Sequence, residues 1–401
     1  MVYKEDTMLS SFKERAAAAI TSLRSKPRKT IMLVHHDDAD GISSGAIIKA
    51  ALEREGFKVK AFCLERFYPQ VLEDLHKNNE IIFYVDIGSS HADLISSYNR
   101  SNSLVIILDH HNPSSATDPM VLDMNLELFG FRGETDFSSS TCCYLFAKEL
   151  DGKNVDLSYL ALVGSSEIPK GFVGINAKVL EEALENGIIN RKGNSLVSTK
   201  FDVSVNHFFS VLQILGSTGY YRRGPELGIE VCLHGLGQDI RDIIDRLEAD
   251  RKEANKKLLV ELYKERLRES EHIQYFDSGD FFKGMGTKVL GTFCSFLSYQ
   301  TKLIKKDKYI AGFMAVPKEI PDWGVLSEEF VKVSVRVPKD MRKEVEQNTL
   351  PSAVGLLNRV TASIGGVADG HDLAASCIFP VEQGRDFIER TEKVISEYVS
   401  K

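Results

Sequence analysis

The sequence predicts an α/β protein with two domains, and three observations support this prediction. Short apolar runs of strand length alternate with segments of helix length over about the first hundred residues. The stretch from Asp239 to Ser270 is rich in Glu, Lys, Arg and Leu and contains no Gly or Pro, which favours a long, exposed helix. A chain of 401 residues also exceeds the size of one hydrophobic core. We therefore predict a doubly wound, mainly parallel sheet over 1–238, a long connector helix over 239–275 and a smaller α+β domain over 276–401.

The N-terminal elements follow one another in a regular alternation. The predicted strands cover 30–34, 57–63, 80–85 and 103–108, and the predicted helices cover 8–25, 43–55, 69–77 and 90–99. Strands that alternate with helices in this way form parallel sheets. Helices are expected from 138 to 190, whereas the alternating run from Phe330 to Arg336 indicates a strand of the second domain.

Composition excludes several classes of protein. Hydrophobic residues make up 43% and charged residues 27% of the chain, as in ordinary globular proteins. A net charge of −7 argues against coating of nucleic acid by bulk electrostatics. No apolar run is long enough to span a bilayer, and the charged N-terminus lacks the pattern of a signal peptide. We expect a cytoplasmic protein with no membrane partner, whose six cysteines are mostly buried free thiols.

Acidic and histidine residues follow three of the predicted strands. These residues are His36, Asp38, Asp40, Asp86, Asp109, His110 and His111. The carboxyl ends of parallel strands lie at one edge of a sheet, where ligands bind. The strand assignments therefore predict that these side chains line one crevice.

The chemistry of this set favours a metal centre. In an extended segment His36, Asp38 and Asp40 would share one face. Close carboxylates repel one another unless cations neutralise them. Asp with His and no thiolate suits Mn²⁺ better than Ca²⁺, with Mg²⁺ or Zn²⁺ as alternatives, and the ligands suffice for two ions. Each motif alone is equally compatible with a turn or a helix cap, but the three together favour the metal centre.

These motifs resemble those of a known family. His36-x-Asp38-x-Asp40-Gly41, Asp86 and Asp109-His110-His111 resemble the first three motifs of the DHH phosphoesterase superfamily. In the C-terminal part, Gly365-Gly366 and the run Gly370-His371-Asp372-Leu373-Ala374-Ala375 resemble the glycine-histidine motif of its companion DHHA1 domain. The stretch from Gly219 to Gly228 is similar to one found in archaeal RecJ-like members.

The resemblance implies two lobes joined by a long helix, with substrate in the cleft between them. If the family's ligand positions apply to this sequence, one ion would be held by His36, Asp38 and Asp86, and the other by Asp40, Asp86 and His110. Asp109 would orient its neighbours, and His111 would contact the scissile phosphate or the leaving group. His35 and Asp37 are expected to face away. Phosphate contacts in the second lobe would come from Ser334, Arg336, Gly365, Gly366, Gly370 and His371. Arg222 and Arg223 would either line the groove or be solvated.

One departure concerns the fourth motif of the family. The chain reads Ser165-Ser166-Glu167-Ile168 where family nucleases carry an Asp, so this ligand is absent, displaced or replaced by Glu167. The implied function is a single-strand-specific, RecJ-like exonuclease that acts on DNA or RNA by two-metal hydrolysis with Mn²⁺ or Mg²⁺. Two alternatives remain: a weakly active or non-catalytic scaffold of an archaeal replication complex with GINS, and a phosphodiesterase of short oligonucleotides or cyclic dinucleotides. The candidates for base stacking are Phe208, Phe209, Tyr220 and Tyr221, for which core packing is the alternative.

Overall fold

A computed structural model of the chain describes residues 2–27, 29–168 and 170–399. The chain divides into two compact units, which cover residues 1–244 and 245–401.

The first unit contains a five-stranded parallel sheet. Its strands are β1 (Thr30–His35), β2 (Lys58–Cys63), β3 (Ile81–Val85), β4 (Leu104–Leu108) and β5 (Val121–Asp123). They lie in the order β2-β1-β3-β4-β5, with every neighbouring pair parallel. Both β3 and β4 are buried along their whole length, which explains their continuous apolar sequences. The order reverses beside β1, and such a switch point is where doubly wound sheets form their ligand crevice. The predicted fold class is confirmed.

Helices make up most of the rest of this unit. They are α1 (Val2–Ser25), α2 (Ala39–Arg54), α3 (Pro69–Asn78), α4 (Ala92–Tyr98), α5 (Gly133–Asp136), α6 (Ser139–Leu150), α7 (Ser158–Ser165), α8 (Gly174–Glu185), α9 (Val205–Gln213) and α10 (Gly224–His234). A small antiparallel sheet of β6 (Ile189–Lys192), β7 (Ser195–Ser198) and β8 (Val203–Ser204) was not predicted.

The position of α2 matters most for the site, since it begins directly after β1 and is buried along most of its length. The helix begins at Ala39, four residues before its predicted start at residue 43. The N-cap is Asp38, whose side chain accepts a hydrogen bond from the backbone N–H of Gly41. The helix therefore starts inside the acidic motif, and Asp40 lies in its first turn rather than in an extended segment.

The second unit is built on a mixed six-stranded sheet, entered from the long helix α11 (Gln238–Glu265). Its strands, together with a separate two-stranded ribbon, are β9 (Arg268–Glu269), β10 (Ile273–Asp277), β11 (Tyr309–Val316), β12 (Glu319–Ile320), β13 (Gly324–Val325), β14 (Phe330–Arg336), β15 (Val367–Gly370) and β16 (Ala374–Pro380). The order is β15-β16-β14-β11-β10-β9, and β12 pairs with β13. Its other helices are α12 (Lys288–Leu297), α13 (Arg342–Glu346), α14 (Ala353–Thr361) and α15 (Phe387–Val399).

The described residues of this unit include two apolar cores. One core joins the apolar side of α11, including Leu258 and Leu262, to α12. The charge-rich α11 is therefore not solvated on all sides. The other core includes residues of α14 and α15 packed with β14 and β16.

Two expectations from composition can be compared with the structure. All six cysteines are free thiols, and five are buried while Cys63 is half-buried. In the part of the chain that the structure describes, no helix combines the length and apolar character needed to cross a membrane.

Candidate metal centre

The loop after β1 brings a histidine against two carboxylates. The Nδ1 atom of His36 lies 2.9 Å from Asp38 Oδ2 and 3.4 Å from Asp86 Oδ2. Its Nε2 atom lies 3.1 Å from Asp37 Oδ1. The expectation that Asp37 faces away is therefore wrong. His35 faces elsewhere, because its Nδ1 contacts the backbone carbonyl of His36 and its ring packs against Gly45. Burial lowers the pKa of His35 to about 4, so this imidazole is neutral at pH 7.

Backbone N–H groups fix the other two acids of the first motif. Asp38 Oδ1 accepts from the N–H of Gly41 at 2.8 Å. Asp40 accepts from the N–H groups of Ser139 and Ser140 through its two oxygens, each at 2.9 Å. These two N–H groups belong to the first turn of α6, a position where unpaired donors and the helix dipole favour a negative charge. Both carboxylates are thus held in one orientation.

Asp86 occupies the centre of the cluster. It follows β3 with a left-handed backbone (φ 58°), a conformation that is uncommon outside glycine and concentrates at functional sites. Its Oδ1 lies 3.6 Å from His110 Nε2, and among the described residues neither oxygen has a hydrogen-bond partner. Burial, and then the charges of Asp38 and Asp40, raise the pKa of Asp86 well above its usual value.

The motif after β4 consists of Asp109, which orients its neighbours, and the two histidines His110 and His111. Asp109 accepts from the N–H of Ser89 at 2.9 Å and lies 2.7 Å from His111 Nδ1. Burial opposes ionisation, but His111 and His110 together with the hydrogen bonds hold the pKa of Asp109 below its usual range. Burial and the neighbouring His111 lower the pKa of His110, which keeps that imidazole in the neutral form that binds metals.

These side chains form two overlapping sets of possible ligands. The sets are His36, Asp38 and Asp86, and Asp86, His110 and His111; within each set the ligand atoms lie within 4.8 Å of one another. Asp86 belongs to both sets, and its buried oxygens lack donors. A divalent cation would supply the positive charge that these carboxylates need, and a mixed carboxylate–imidazole donor set suits Mn²⁺. The residues therefore fit a metal.

Other predicted residues lie outside these two sets. Glu167 is exposed in the turn that follows α7, and Arg222 and Arg223 are exposed as well. Arg223 pairs with Glu226, with Nε 2.8 Å from Oε2. Of the stacking candidates, Phe208 and Tyr220 are buried, and the Tyr220 hydroxyl donates to the Cys63 carbonyl at 3.1 Å.

The predicted phosphate contacts of the second unit fall at two ends of β15. Arg336 is opposite Ala374 in the sheet, and the N–H of His371 donates to the Ala374 carbonyl at 2.8 Å. Gly370, the last residue of β15, lies at the same end. Gly365 and Gly366 precede the other end of the strand, about 10 Å away by strand geometry.

Sequence reasoning missed Arg66 and the two serines that hold Asp40. Arg66 follows β2, and its Nη1 lies 3.2 Å from His36 Nε2. The strand order supplied a signal, because the carboxyl end of β2 lies at the same sheet edge as that of β1. The run Ser138-Ser139-Ser140-Thr141 also carried a signal, since serines begin helices. Ser138 is indeed the N-cap of α6.

Comparison with known proteins gives one family match and one sequence relative. Residues 30–164 match the model of the DHH family, N-terminal domain. Over 184 residues, which are 44% of this chain, the sequence is 31% identical to an uncharacterised protein of Methanocaldococcus jannaschii; the match spans 41% of that protein.

The fold is similar to those of several solved structures. RecJ of Thermus thermophilus, in complex with Mn²⁺, has a TM-score of 0.66 and 18% identity; the match covers 96% of this chain and 55% of RecJ. That RecJ has also been solved with Mg²⁺. CDC45 of Entamoeba histolytica has a TM-score of 0.57 and 11% identity; the match covers 98% of this chain and 99% of CDC45. The chain thus spans about half the length of the RecJ and less than half of the M. jannaschii protein that it matches.

Proposed function

Because this chain carries a DHH-family domain over residues 30–164 and has the fold of RecJ, we propose that it is a metal-dependent phosphodiesterase that degrades single-stranded DNA or RNA from an end. One observation carries this proposal. Asp86 lies in both ligand sets with two buried oxygens that lack donors, at the switch point of the sheet. A carboxylate shared between two sets of ligands suits a pair of ions that acts on a phosphodiester.

The proposed ligands follow from these contacts. His36, Asp38 and Asp86 would hold one Mn²⁺ or Mg²⁺ ion, and Asp40, Asp86 and His110 a second. When bound, such ions supply Lewis-acid stabilisation of the charge that develops on phosphoryl oxygens. Asp40 lies outside the two sets described above, yet its charge acts on both Asp86 and His110.

The protein's own groups would orient the substrate. Asp109 stays ionised and holds His111 through Nδ1, so the ring of His111 is set to present its other nitrogen, Nε2, to the scissile phosphate or the leaving oxygen. The guanidinium of Arg66 lies beside His36. Arg66 would bind a non-bridging phosphate oxygen of the same substrate, since a guanidinium is well suited to phosphate.

Residues of the second unit would hold a more distant phosphate of the strand. Arg336 and His371 lie at the same end of β14 and β16, where a guanidinium and a hairpin backbone can bind an anion. Arg222 and Arg223 are exposed and would contact the strand through its backbone charge.

A nuclease assay tests the proposal. End-labelled single-stranded DNA, RNA and dinucleotides are incubated with Mn²⁺ or Mg²⁺, and products are separated on a gel. We expect cleavage from one end by the wild type and loss of at least 10²-fold with Asp86→Asn, as for a group central to electrostatic stabilisation. Asp239→Asn, which changes an exposed acid of α11, is the matched control. Equal cleavage by Asp86→Asn and Asp239→Asn would refute the metal assignment.

A second candidate function rests on the position of Glu167. This residue is exposed and lies in neither ligand set. In this arrangement Glu167 therefore does not supply a fourth-motif ligand to the second ion. A centre that binds one ion weakly would suit a scaffold in a replication complex that contains GINS. Absence of cleavage of every substrate, together with co-elution with purified GINS, would favour this candidate over the nuclease. Calorimetric titration with Mn²⁺ would give the number of ions directly.

A further inference from the structure

Two aromatic rings stand exposed at the end of α12. Phe296 is 43% and Tyr299 is 73% exposed, and Tyr299 is the most exposed large hydrophobic side chain among the described residues. Positions three apart in or beside a helical turn lie on one face, so the two rings form one patch. Adjacent exposed rings indicate an interaction site more strongly than single exposed apolar residues do.

A guanidinium without an acidic partner adjoins this patch. Arg336 Nε donates to Ser295 Oγ at 2.8 Å, and Ser295 lies immediately before Phe296 and one turn before Tyr299. The other bonds of Arg336 go to backbone carbonyls. No carboxylate of the described residues pairs with it. Four bonds are made by a group with five N–H donors, so one donor and the full positive charge remain for a ligand.

A second polar group lies beside this guanidinium. Ser334 is on the same face of β14 as Arg336, two residues earlier, and its buried hydroxyl has no hydrogen-bond partner among the described residues. Gly291 of α12 places no side chain against either group. A Cβ there would lie 3.0 Å from Arg336 Nη2 and 3.5 Å from Ser334 Oγ. A buried donor beside a cation favours an anionic group.

The segment that follows α12 adds positive charge. Between Phe296 and Lys308 the sequence has four lysines and one acid, in a chain whose net charge is −7. Lys302 and Lys305 are exposed, and neither forms an ion pair within the described residues. Exposed aromatic rings beside lysines without ion pairs suit a ligand that has both negative charges and flat apolar faces, because the charges attract the lysines and the flat faces stack on the rings.

We propose that Phe296 and Tyr299, with Lys302 and Lys305, form a stacking platform for single-stranded nucleic acid beside the phosphate contact already expected at Ser334 and Arg336. Bases stack on the two rings, and the lysines attract the backbone. Aromatic platforms of this kind bind any sequence, because every base has a π face. The inference rests on the proposed function, since it names a contact surface for the single strand.

The test measures binding without hydrolysis. A fluorescein-labelled ten-nucleotide oligo(dT) and an abasic phosphodiester strand of equal length are titrated with the full chain in EDTA, and anisotropy is recorded. We expect the wild type to prefer oligo(dT) at least tenfold. Phe296→Ala/Tyr299→Ala should lose that preference while it still binds the abasic strand, and Phe296→Ala/Tyr299→Trp should restore much of it. Val325→Ala, which removes another exposed apolar side chain of this unit, is the control.

Two results would overturn the platform. One is an unchanged preference for oligo(dT) in the double alanine variant, with its melting temperature intact. The other is a concentration-dependent dimer of the wild type that the double variant abolishes without any change in oligonucleotide affinity, because the patch would then be a protein interface. The binding assay contains no divalent ions and so does not depend on cleavage. If the chain binds oligo(dT) tightly here but fails to cleave it in the nuclease assay with Mn²⁺ or Mg²⁺, the nuclease is refuted and the platform stands.

Discussion

Replacement of Gly164 by alanine tests whether close packing at the end of α7 fixes Asp40. A Cβ at this position would lie 2.2 Å from Asp40 Oδ1 and 2.1 Å from Ser140 Oγ. Neither oxygen can move freely. Asp40 Oδ1 accepts from the N–H of Ser140 at 2.9 Å, and Ser140 Oγ donates to the carbonyl of Ala161 at 3.0 Å. The added methyl group must therefore break a buried hydrogen bond or displace a helix.

The magnitudes decide the sign of the change in stability. Gly to Ala within a helix normally stabilises by about 0.5–1 kcal/mol. Overpacking of a well-packed core costs about 1–3 kcal/mol, and an unsatisfied buried polar group costs about 1–3 kcal/mol more. The two costs together are about 2–6 kcal/mol, and their central value exceeds the helical gain by about 3 kcal/mol. At about 2–4 °C per kcal/mol for a unit of this size, the melting temperature should fall by about 6–12 °C.

The assay compares thermal melts of three proteins in EDTA, followed by calorimetric titration with Mn²⁺. Gly152→Ala is the matched control, because a Cβ there has no atom within 4 Å. We expect Gly152→Ala to melt at or slightly above the wild type. Mn²⁺ affinity of Gly164→Ala should fall by about 10–100-fold, as is typical when a ligand loses its support. A melting temperature for Gly164→Ala equal to that of Gly152→Ala would refute the reasoning.

Three further predictions concern single charges. In EDTA, Asp86→Asn should melt a few degrees higher, because it removes repulsion from two neighbouring acids, and Mn²⁺ should no longer stabilise it; an undiminished Mn²⁺-induced shift in the melt would contradict this. Burial raises the pKa of Asp123 to about 6, against about 3.9 in an unfolded chain. Ionisation therefore costs the folded state up to about 3 kcal/mol as the pH rises from about 4 to 6. Urea unfolding at pH 4 and pH 7 should show that the free energy of unfolding falls by this amount in the wild type but not in Asp123→Asn. An equal fall in both proteins would be evidence against a raised pKa of Asp123. Arg66→Ala should raise KM for an oligonucleotide about tenfold without weakening Mn²⁺ binding, Arg66→Lys should be intermediate, and an unchanged KM would exclude a phosphate contact.

The sequence alone determined the parallel sheet and the place where the acids converge. Strand-length apolar runs alternate with helices, and this pattern leaves few topologies. Asp86 and Asp109 each come directly after a buried strand. Because all carboxyl ends of a parallel sheet lie at one edge, their proximity required no knowledge of side-chain packing.

Only the tertiary structure decided how each acid is held. The alternation expected for His36, Asp38 and Asp40 ends at Asp38, because that side chain caps α2. Asp40 is fixed by Ser139, which lies 99 residues further along the chain, and Arg66 reaches His36 from the next strand. A sequence pattern reports which side of its own element a residue occupies, whereas these contacts depend on how separate elements pack. The exposure of Glu167 has the same origin, since it depends on where α7 ends against the rest of the unit.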